Sequence, residues 1–182
     1  MPTYSLSQFN TFKLAINAKQ LLSINNISDL DRLLPIVEPV LVLGSGSNML
    51  FTQDFDGIVL HNKLKGIEIT EDSDNYYLQI SAGENWHDLV MNCAEQGIGG
   101  LENLALIPGT VGAAPVQNIG AYGVELANLC VQVQAYNLIT GQLELLDNSQ
   151  CLFGYRDSIF KHQRHYFITG VKLQLAKCGS LN

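Results

Sequence analysis

Val40-Leu41-Val42-Leu43-Gly44-Ser45-Gly46-Ser47-Asn48 is the stretch that decides how this chain is organised. Four apolar residues running straight into a glycine form the pattern of a buried strand. The loop behind it carries two glycines, which let backbone approach a ligand closely and can turn their amides inward as an anion-binding nest. Ser45, Ser47 and Asn48 add side-chain donors. Taken alone, a Gly-Ser loop is more often a tight structural turn than a binding loop. Two nucleotide motifs are excluded by inspection. A Walker loop closes on Gly-Lys-Ser/Thr, and no lysine is present here. The dinucleotide fingerprint needs a third glycine where Met49 stands. A pyrophosphate on this loop would therefore be held by another fold.

Working outward toward the N-terminus, Ser28-x-x-Asp31 reads as a capping box for a short helix through Leu33 and Leu34, which Pro35 restricts. On the other side, Gly57-Ile-Val-Leu-His61 is a second buried strand, so residues 1–64 are expected to form a small β/α unit. From Lys65 the pattern changes. Ile67 to Thr70 and Tyr76 to Ser81 flank a polar turn and read as a hairpin. Trp86, Leu89, Val90, Cys93 and Ala94 recur at helical spacing, with Gly97 as the stop. Val131, Val133 and Ala135 alternate with Gln132, Gln134 and Tyr136, a half-buried strand. Thr140-Gly141 turns into Leu143 to Leu146, Asn148 or Ser149 caps a short helical turn, and a last strand runs from about Tyr166 to Leu175. Residues 65–182 thus read as a larger, mostly antiparallel α+β unit. A cofactor would lie between the two units.

The 182 residues suffice for one medium domain or two small subdomains sharing a core. Hydrophobic residues make up 47% and charged residues 15%, an ordinary globular composition. A net charge of −7 argues against a nucleic-acid surface, since phosphate backbones demand clustered Lys and Arg. An anionic nucleotide ligand stays open, because backbone amides and one or two cations can hold phosphate. The N-terminal residues show no basic start followed by an apolar run, so no signal peptide is expected. The longest apolar stretch is broken by Pro35, Glu38 and Pro39 and is too short to span a membrane. Cys93, Cys130, Cys151 and Cys178 lack CxxC spacing and are expected as reduced, mostly buried thiols of a cytoplasmic protein.

Two further segments carry chemistry. Gly97 to Gly123 contains seven glycines, two prolines and a single charge, Glu102. Glycine-dense, uncharged backbone suits a surface laid against a flat, partly apolar ligand, where side chains would collide. A buried irregular connection between subdomains would read the same way. Phe153-Gly-Tyr-Arg-Asp-Ser-Ile-Phe-Lys161 places an arginine beside a tyrosine after a glycine, a pattern able to grip a carboxylate or phosphate. Its plain alternative is a surface Arg156 paired with Asp157. His162 and His165 have no completing Cys or carboxylate set, so no metal is expected. His61 and His87 are isolated, no Gly-x-Ser-x-Gly elbow exists, and Trp86 reads as core.

In this order, the segments closely resemble the UDP-N-acetylenolpyruvoylglucosamine reductase family. The landmarks are Asn10-Thr-Phe, Leu43-Gly-Ser-Gly-Ser-Asn-Met-Leu-Phe51, Lys65-Gly-Ile-Glu-Ile69, Ala82-Gly-Glu-Asn-Trp86, the block Gly100 to Leu126, and Phe153 to Lys161. The resemblance runs from about Leu6 to Leu175. It implies the two-subdomain FAD-binding fold of the vanillyl-alcohol-oxidase (PCMH) type. It implies non-covalent FAD, with the pyrophosphate on Gly44, Ser45, Gly46, Ser47 and Asn48. Ile107, Pro108, Gly109, Thr110, Gly112, Ala113 and Ala114 would line the rest of the cofactor, with Asn118, Gly120, Ala121, Tyr122, Gly123 and Ile168. NADPH would be the reductant and a UDP-sugar enolpyruvyl ether the substrate. By the same resemblance Arg156 is the catalytic cation beside the substrate carboxylate, with Tyr155 and Lys161 as further substrate contacts. The family continues into a C-terminal substrate-binding domain to which nothing here corresponds, so the expected activity is flavin binding without full turnover. Two other readings are an FAD-dependent oxidase on the same fold and a non-catalytic flavin-binding module. An oxidase of this kind often tethers flavin through His or Cys near the pyrophosphate loop, and Gly44 to Phe51 has neither.

Overall fold

A computed structural model describes residues 3–177. In chain order the strands are β1 (Tyr4–Ser5), β2 (Asn17–Ile24), β3 (Val40–Leu43), β4 (Phe55–Asn62), β5 (Ile67–Glu71), β6 (Asn75–Ser81), β7 (Gly120–Ala121), β8 (Val124–Glu125), β9 (Cys130–Asn137), β10 (Gln142–Asp147) and β11 (Tyr166–Ala176). The helices are α1 (Ser28–Asp31), α2 (Trp86–Glu95) and α3 (Ile159–His162), with six 3-10 turns between elements.

Two main sheets are drawn from either side of residues 63–66. The first has the order β1-β2-β4-β3, with β2, β4 and β3 parallel and β1 antiparallel at its edge. The second is a fully antiparallel sheet in the order β10-β9-β11-β6-β5. β4 occupies the middle of the first sheet, and Ile58, Val59 and Leu60 are buried on both of its faces, which is why it reads as a continuous apolar run. β3 has an equally apolar sequence but lies at the sheet edge, and only Leu43 is fully buried.

The core has three parts. The largest packs α2 and the 3-10 turns of residues 102–117 against the five-stranded sheet. A smaller cluster sits inside the first sheet around Leu6, Leu43 and Val59. The third joins the sheets: Ile24, Leu30 and Leu60 pack with Tyr136, Leu138 and Phe167. Apolar surface from both segments is removed from water in one shared cluster, so the two sheets stabilise one another.

Ser28 is the first helical residue and does not cap α1. The N-cap is Ile27, and the Asp29 carboxylate instead accepts from the Asn25 and Asn26 amides at 3.0 Å each. Ala94 is exposed, because the buried stripe of α2 ends at Cys93 in its last turn, and Gly97, with φ of +72°, follows the helix. Asn85 caps α2 by accepting from the Asp88 amide. Tyr136 was expected on the solvent face of β9 but is 2% exposed, since α1 covers that face. Its hydroxyl donates to Asp31 Oδ1 at 2.7 Å. The N-cap of the turn after β10 is Asp147; Asn148 reaches back to the carbonyls of Ala127 and Cys130. Cys93, Cys130 and Cys151 are buried and free, while Cys178 lies outside the described residues.

Candidate functional site

The loop after β3 meets the glycine-rich segment of residues 107–117 across a two-lobed cleft. Both lobes share Val42, Gly44, Met49, Thr110, Ala113, Val116 and Lys161. One lobe of about 230 Å3 runs along Gly44 to Asn48 and is backed by Trp86, Ile107, Pro108 and Ile119. The other, about 420 Å3, opens beneath β3 toward Asn62, Phe160, Arg164 and Ile168. Cavities of this size take small ligands, and the lining is largely apolar with a few polar groups, as such sites usually are. β3 is half-exposed because one side of it forms this cleft.

Glycine is required at two points. Gly46 has φ +68°, and a Cβ there would lie 2.0 Å from the Phe9 carbonyl oxygen. A Cβ on Gly44 would come within 2.6 Å of Thr110 Oγ1, so the two lips of the cleft touch through a glycine. The loop is fastened from behind: the Thr11 amide donates to the Gly46 carbonyl at 3.3 Å, and buried Asn10 holds its own turn through bonds to Leu6 and Leu14. Ser45 donates to Ser47 at 3.2 Å, and Asn48 Nδ2 crosses the cleft to Gln117 Oε1 at 2.9 Å.

The charge pattern is one-sided. Among the described residues lining both lobes, the only charged groups are Lys161 and Arg164. In a chain of net charge −7 this marks a local site for an anion. Trp86 is buried as expected, with its Nε1 donating to the Leu104 carbonyl at 2.9 Å, and its ring also backs the first lobe.

Residues 23–147 match the family described as FAD binding domain. The chain belongs to that family. A relative from Haemophilus ducreyi named UDP-N-acetylenolpyruvoylglucosamine reductase is 52% identical over 180 residues, covering 96% of this chain and 52% of its own length. The chain spans about half the length of the curated relatives it matches. The crystal structure of the reductase from Thermus caldophilus superposes with a TM-score of 0.77 at 26% identity, covering 94% of this chain and 60% of that one. p-Cresol methylhydroxylase superposes with a TM-score of 0.62 at 12% identity, over 90% of this chain and 36% of its own, and it shares the fold. The fold is therefore the FAD-binding type expected from the sequence.

The site of this FAD-binding domain fits the cofactor. A tight glycine loop with serine hydroxyls beside it, cations without competing carboxylates, and apolar walls suit a diphosphate joined to flat rings. Of the residues singled out from sequence, Gly44, Ser45, Gly46, Ser47, Asn48, Ile107, Pro108, Thr110, Ala113 and Ala114 line the first lobe, and Gly112 and Ile168 line the second. Gly109, at φ +137°, faces Ser47: its missing Cβ would sit 3.7 Å from Ser47 Oγ.

Asn118, Gly120, Ala121, Tyr122 and Gly123 are placed differently. With Tyr155 and Arg156 they line a separate polar recess of about 420 Å3. β7 and β8 form its small hairpin, a pair with no pattern of its own in the sequence. Arg156 does not pair with Asp157. The Asp157 carboxylate holds His162 Nε2 at 2.9 Å, an interaction that keeps its carboxyl below the usual carboxylate range. Arg156 takes part in none of the ion pairs among the described residues, and its backbone is left-handed at φ +51°. Lys161 faces the cleft, and its Nζ also donates to the Arg156 carbonyl at 2.9 Å. Arg164 in the second lobe escaped the sequence reading, because a lone arginine in a polar connection carries no pattern. No group of three or more metal-ligating side chains occurs among the described residues, and no helix among them is long and apolar enough to cross a membrane.

Proposed function

We propose that this chain is the flavin-holding part of a reductase that uses NADPH to convert UDP-N-acetylglucosamine enolpyruvate to UDP-N-acetylmuramate. That reaction would serve cytoplasmic peptidoglycan synthesis, and through it cell shape and division. The observation that carries the reading is the cleft in which the Gly44–Asn48 loop meets Thr110, where Lys161 and Arg164 are the only charged groups among the described lining residues. The names of relatives about 50% identical over nearly the whole chain support it.

In this reading Gly44 to Asn48 hold the FAD pyrophosphate through backbone amides and serine hydroxyls, with Lys161 or Arg164 as counter-charge. Ile107 to Ala114 and Ile168 line the remainder. Bound FAD supplies hydride transfer, and the protein supplies placement and electrostatics. Tyr122, Gly123, Tyr155 and Arg156 surround the recess where the enolpyruvyl carboxylate would lie. Negative charge grows beside that carboxylate as hydride is delivered, so a fixed guanidinium there is worth most at that moment. Arg156, which lines the recess beside Tyr155 and is in no ion pair among the described residues, supports that role.

The test is a visible spectrum of the purified chain, loaded with FAD and freed of excess, then acidified. A retained flavin band released by acid supports non-covalent FAD. A folded chain that takes up no flavin sinks the reading.

A further inference from the structure

Asn118, a residue the resemblance assigns to the cofactor, makes three hydrogen bonds within the protein. It is 3% exposed. Nδ2 has two hydrogens, and both are used: one on Glu125 Oε2 at 2.8 Å and one on the Gly154 carbonyl at 3.0 Å. Oδ1 accepts from the Ala127 amide at 2.9 Å. Its backbone is left-handed at φ +43°, a conformation asparagine tolerates better than most residues. One side chain thus ties together the end of the glycine-rich segment, the β8 hairpin and the turn that carries Tyr155 and Arg156.

That turn is tight. Gly154 and Asp157 exchange backbone bonds at 2.9 and 3.2 Å, which leaves Tyr155 and Arg156 at its tip. A left-handed arginine persists only where its surroundings over-determine it. Two contacts do so, the Asn118 bond to the Gly154 carbonyl and the Lys161 bond to the Arg156 carbonyl. Glu125 sets the Asn118 amide from the other side, and its own amide donates to Asn128 Oδ1 at 3.0 Å. We propose that Asn118 and Glu125 are positioning residues that fix the Arg156 turn over the polar recess. This rests on the role given to Arg156 above for its functional consequence, though not for the clamp itself.

The test uses the FAD-loaded chain with Asn118→Asp and Arg156→Ala. The first readout is amide protection at residues 154–157, which reports local opening independently of any ligand. Asn118→Asp places a second carboxylate against Glu125 and removes both donors. Two carboxylates sharing a site hold one proton more tightly, so that proton can restore a hydrogen bond as pH falls. Protection of the Asp157 amide is expected to drop at least tenfold at pH 8 and to recover toward the parent by about pH 5. A residue acting only through packing would show no such pH profile. Equal protection in the parent and Asn118→Asp at every pH overturns the inference.

The second readout is the flavin band shift on adding UDP-N-acetylglucosamine enolpyruvate. Arg156→Ala is expected to abolish it, Asn118→Asp to weaken the dissociation constant about tenfold, and the double variant to behave as Arg156→Ala alone. Binding that needs Arg156 yet ignores Asn118 overturns the positioning role. Loss of protection in Asn118→Asp with binding that ignores Arg156 leaves the clamp standing and sinks the reading of Arg156 instead.

Discussion

Asn62 Nδ2 donates to the carbonyl oxygen of Ile168 at 2.9 Å, joining the central strand of the parallel sheet to the central strand of the antiparallel one. The acceptor is free because β11 has a register shift between Ile168 and Gly170, a bulge at Thr169. Thr169 turns its hydroxyl to the Gln134 carbonyl, and its own carbonyl takes the Ala82 amide. Asn62 is 6% exposed, and its Oδ1 accepts from the Leu64 amide at 3.2 Å. Both residues line the second lobe of the cleft.

Asn62→Leu keeps the volume and removes both hydrogen bonds, leaving a carbonyl and an amide without partners at the junction of the sheets. Each unsatisfied buried group costs about 1–3 kcal/mol, so a loss of about 2–6 kcal/mol is expected by urea denaturation. FAD affinity should fall as well, because the cleft is the space between the elements this bond joins. Unchanged stability would show that the two sheets are held by the shared apolar cluster alone.

The glycines of the loop separate sterics from backbone conformation. Gly46→Ala puts a methyl group 2.0 Å from the Phe9 carbonyl oxygen at a φ of +68°. Gly97→Ala meets nothing within 4 Å at a nearly equal φ of +72°. The left-handed conformation costs about 1–2 kcal/mol in both. Gly97→Ala should lose no more than that and keep FAD, while Gly46→Ala should lose clearly more and bind no flavin. Equal losses would mean that Phe9 and Asn10 yield, and that the loop is not buttressed from the N-terminal segment.

These contrasts show how much was legible in the sequence. The strand–glycine pattern at Val40–Gly44, the hairpin of β5 and β6, and the helical spacing from Trp86 to Cys93 are local signals, and they give the right elements. β2 was not seen, because Asn17-Ala-Lys-Gln-Leu-Leu-Ser-Ile24 alternates in neither period: its neighbours β1 and β4 decide its faces, not its own pattern. Tyr136 shows the same effect, since the element covering it comes from about a hundred residues earlier in the chain. In the site, the glycine-rich segment lines the cleft at Thr110, Gly112 and Ala113, as either reading of it allowed. The use of Asn118 could not be read, because its partners Glu125, Ala127 and Gly154 meet only in three dimensions.

His61 gives the chain a pH dependence distinct from that of its carboxylates. The Phe9 ring packs edge-on at 5.0 Å, and Nδ1 is buried without a hydrogen-bond partner among the described residues. Burial, then the Lys63 charge, holds the imidazole pKa below its ordinary value of 6.5. A histidine depressed in the folded state contributes stability above its unfolded pKa and loses it as pH falls through the folded one. Stability should therefore decline as pH drops below about 6.5, well before Asp29, Asp72 and Asp157 begin to protonate. His61→Phe should flatten that part of the curve. A parent stable to pH 4.5 with no slope would contradict it.

The three buried thiols should be inert while the chain is folded. Burial comes first among the causes that push Cys93 up to about 11 and Cys130 and Cys151 up to about 12. Carboxylates add to the effect: Glu102 beside Cys93 and Asp147 beside Cys151. The thiolate is the nucleophile, and at pH 8 almost none is present at such values. An aromatic disulfide reagent should therefore react with Cys93, Cys130 and Cys151 only at the rate of unfolding. That rate should slow further when FAD is added, because a ligand bound only to the folded chain lowers the unfolded population. Fast reaction of Cys93, on the helix whose Trp86 backs the cleft, would mean that α2 opens locally, and the flavin effect would then measure closure of the cleft itself.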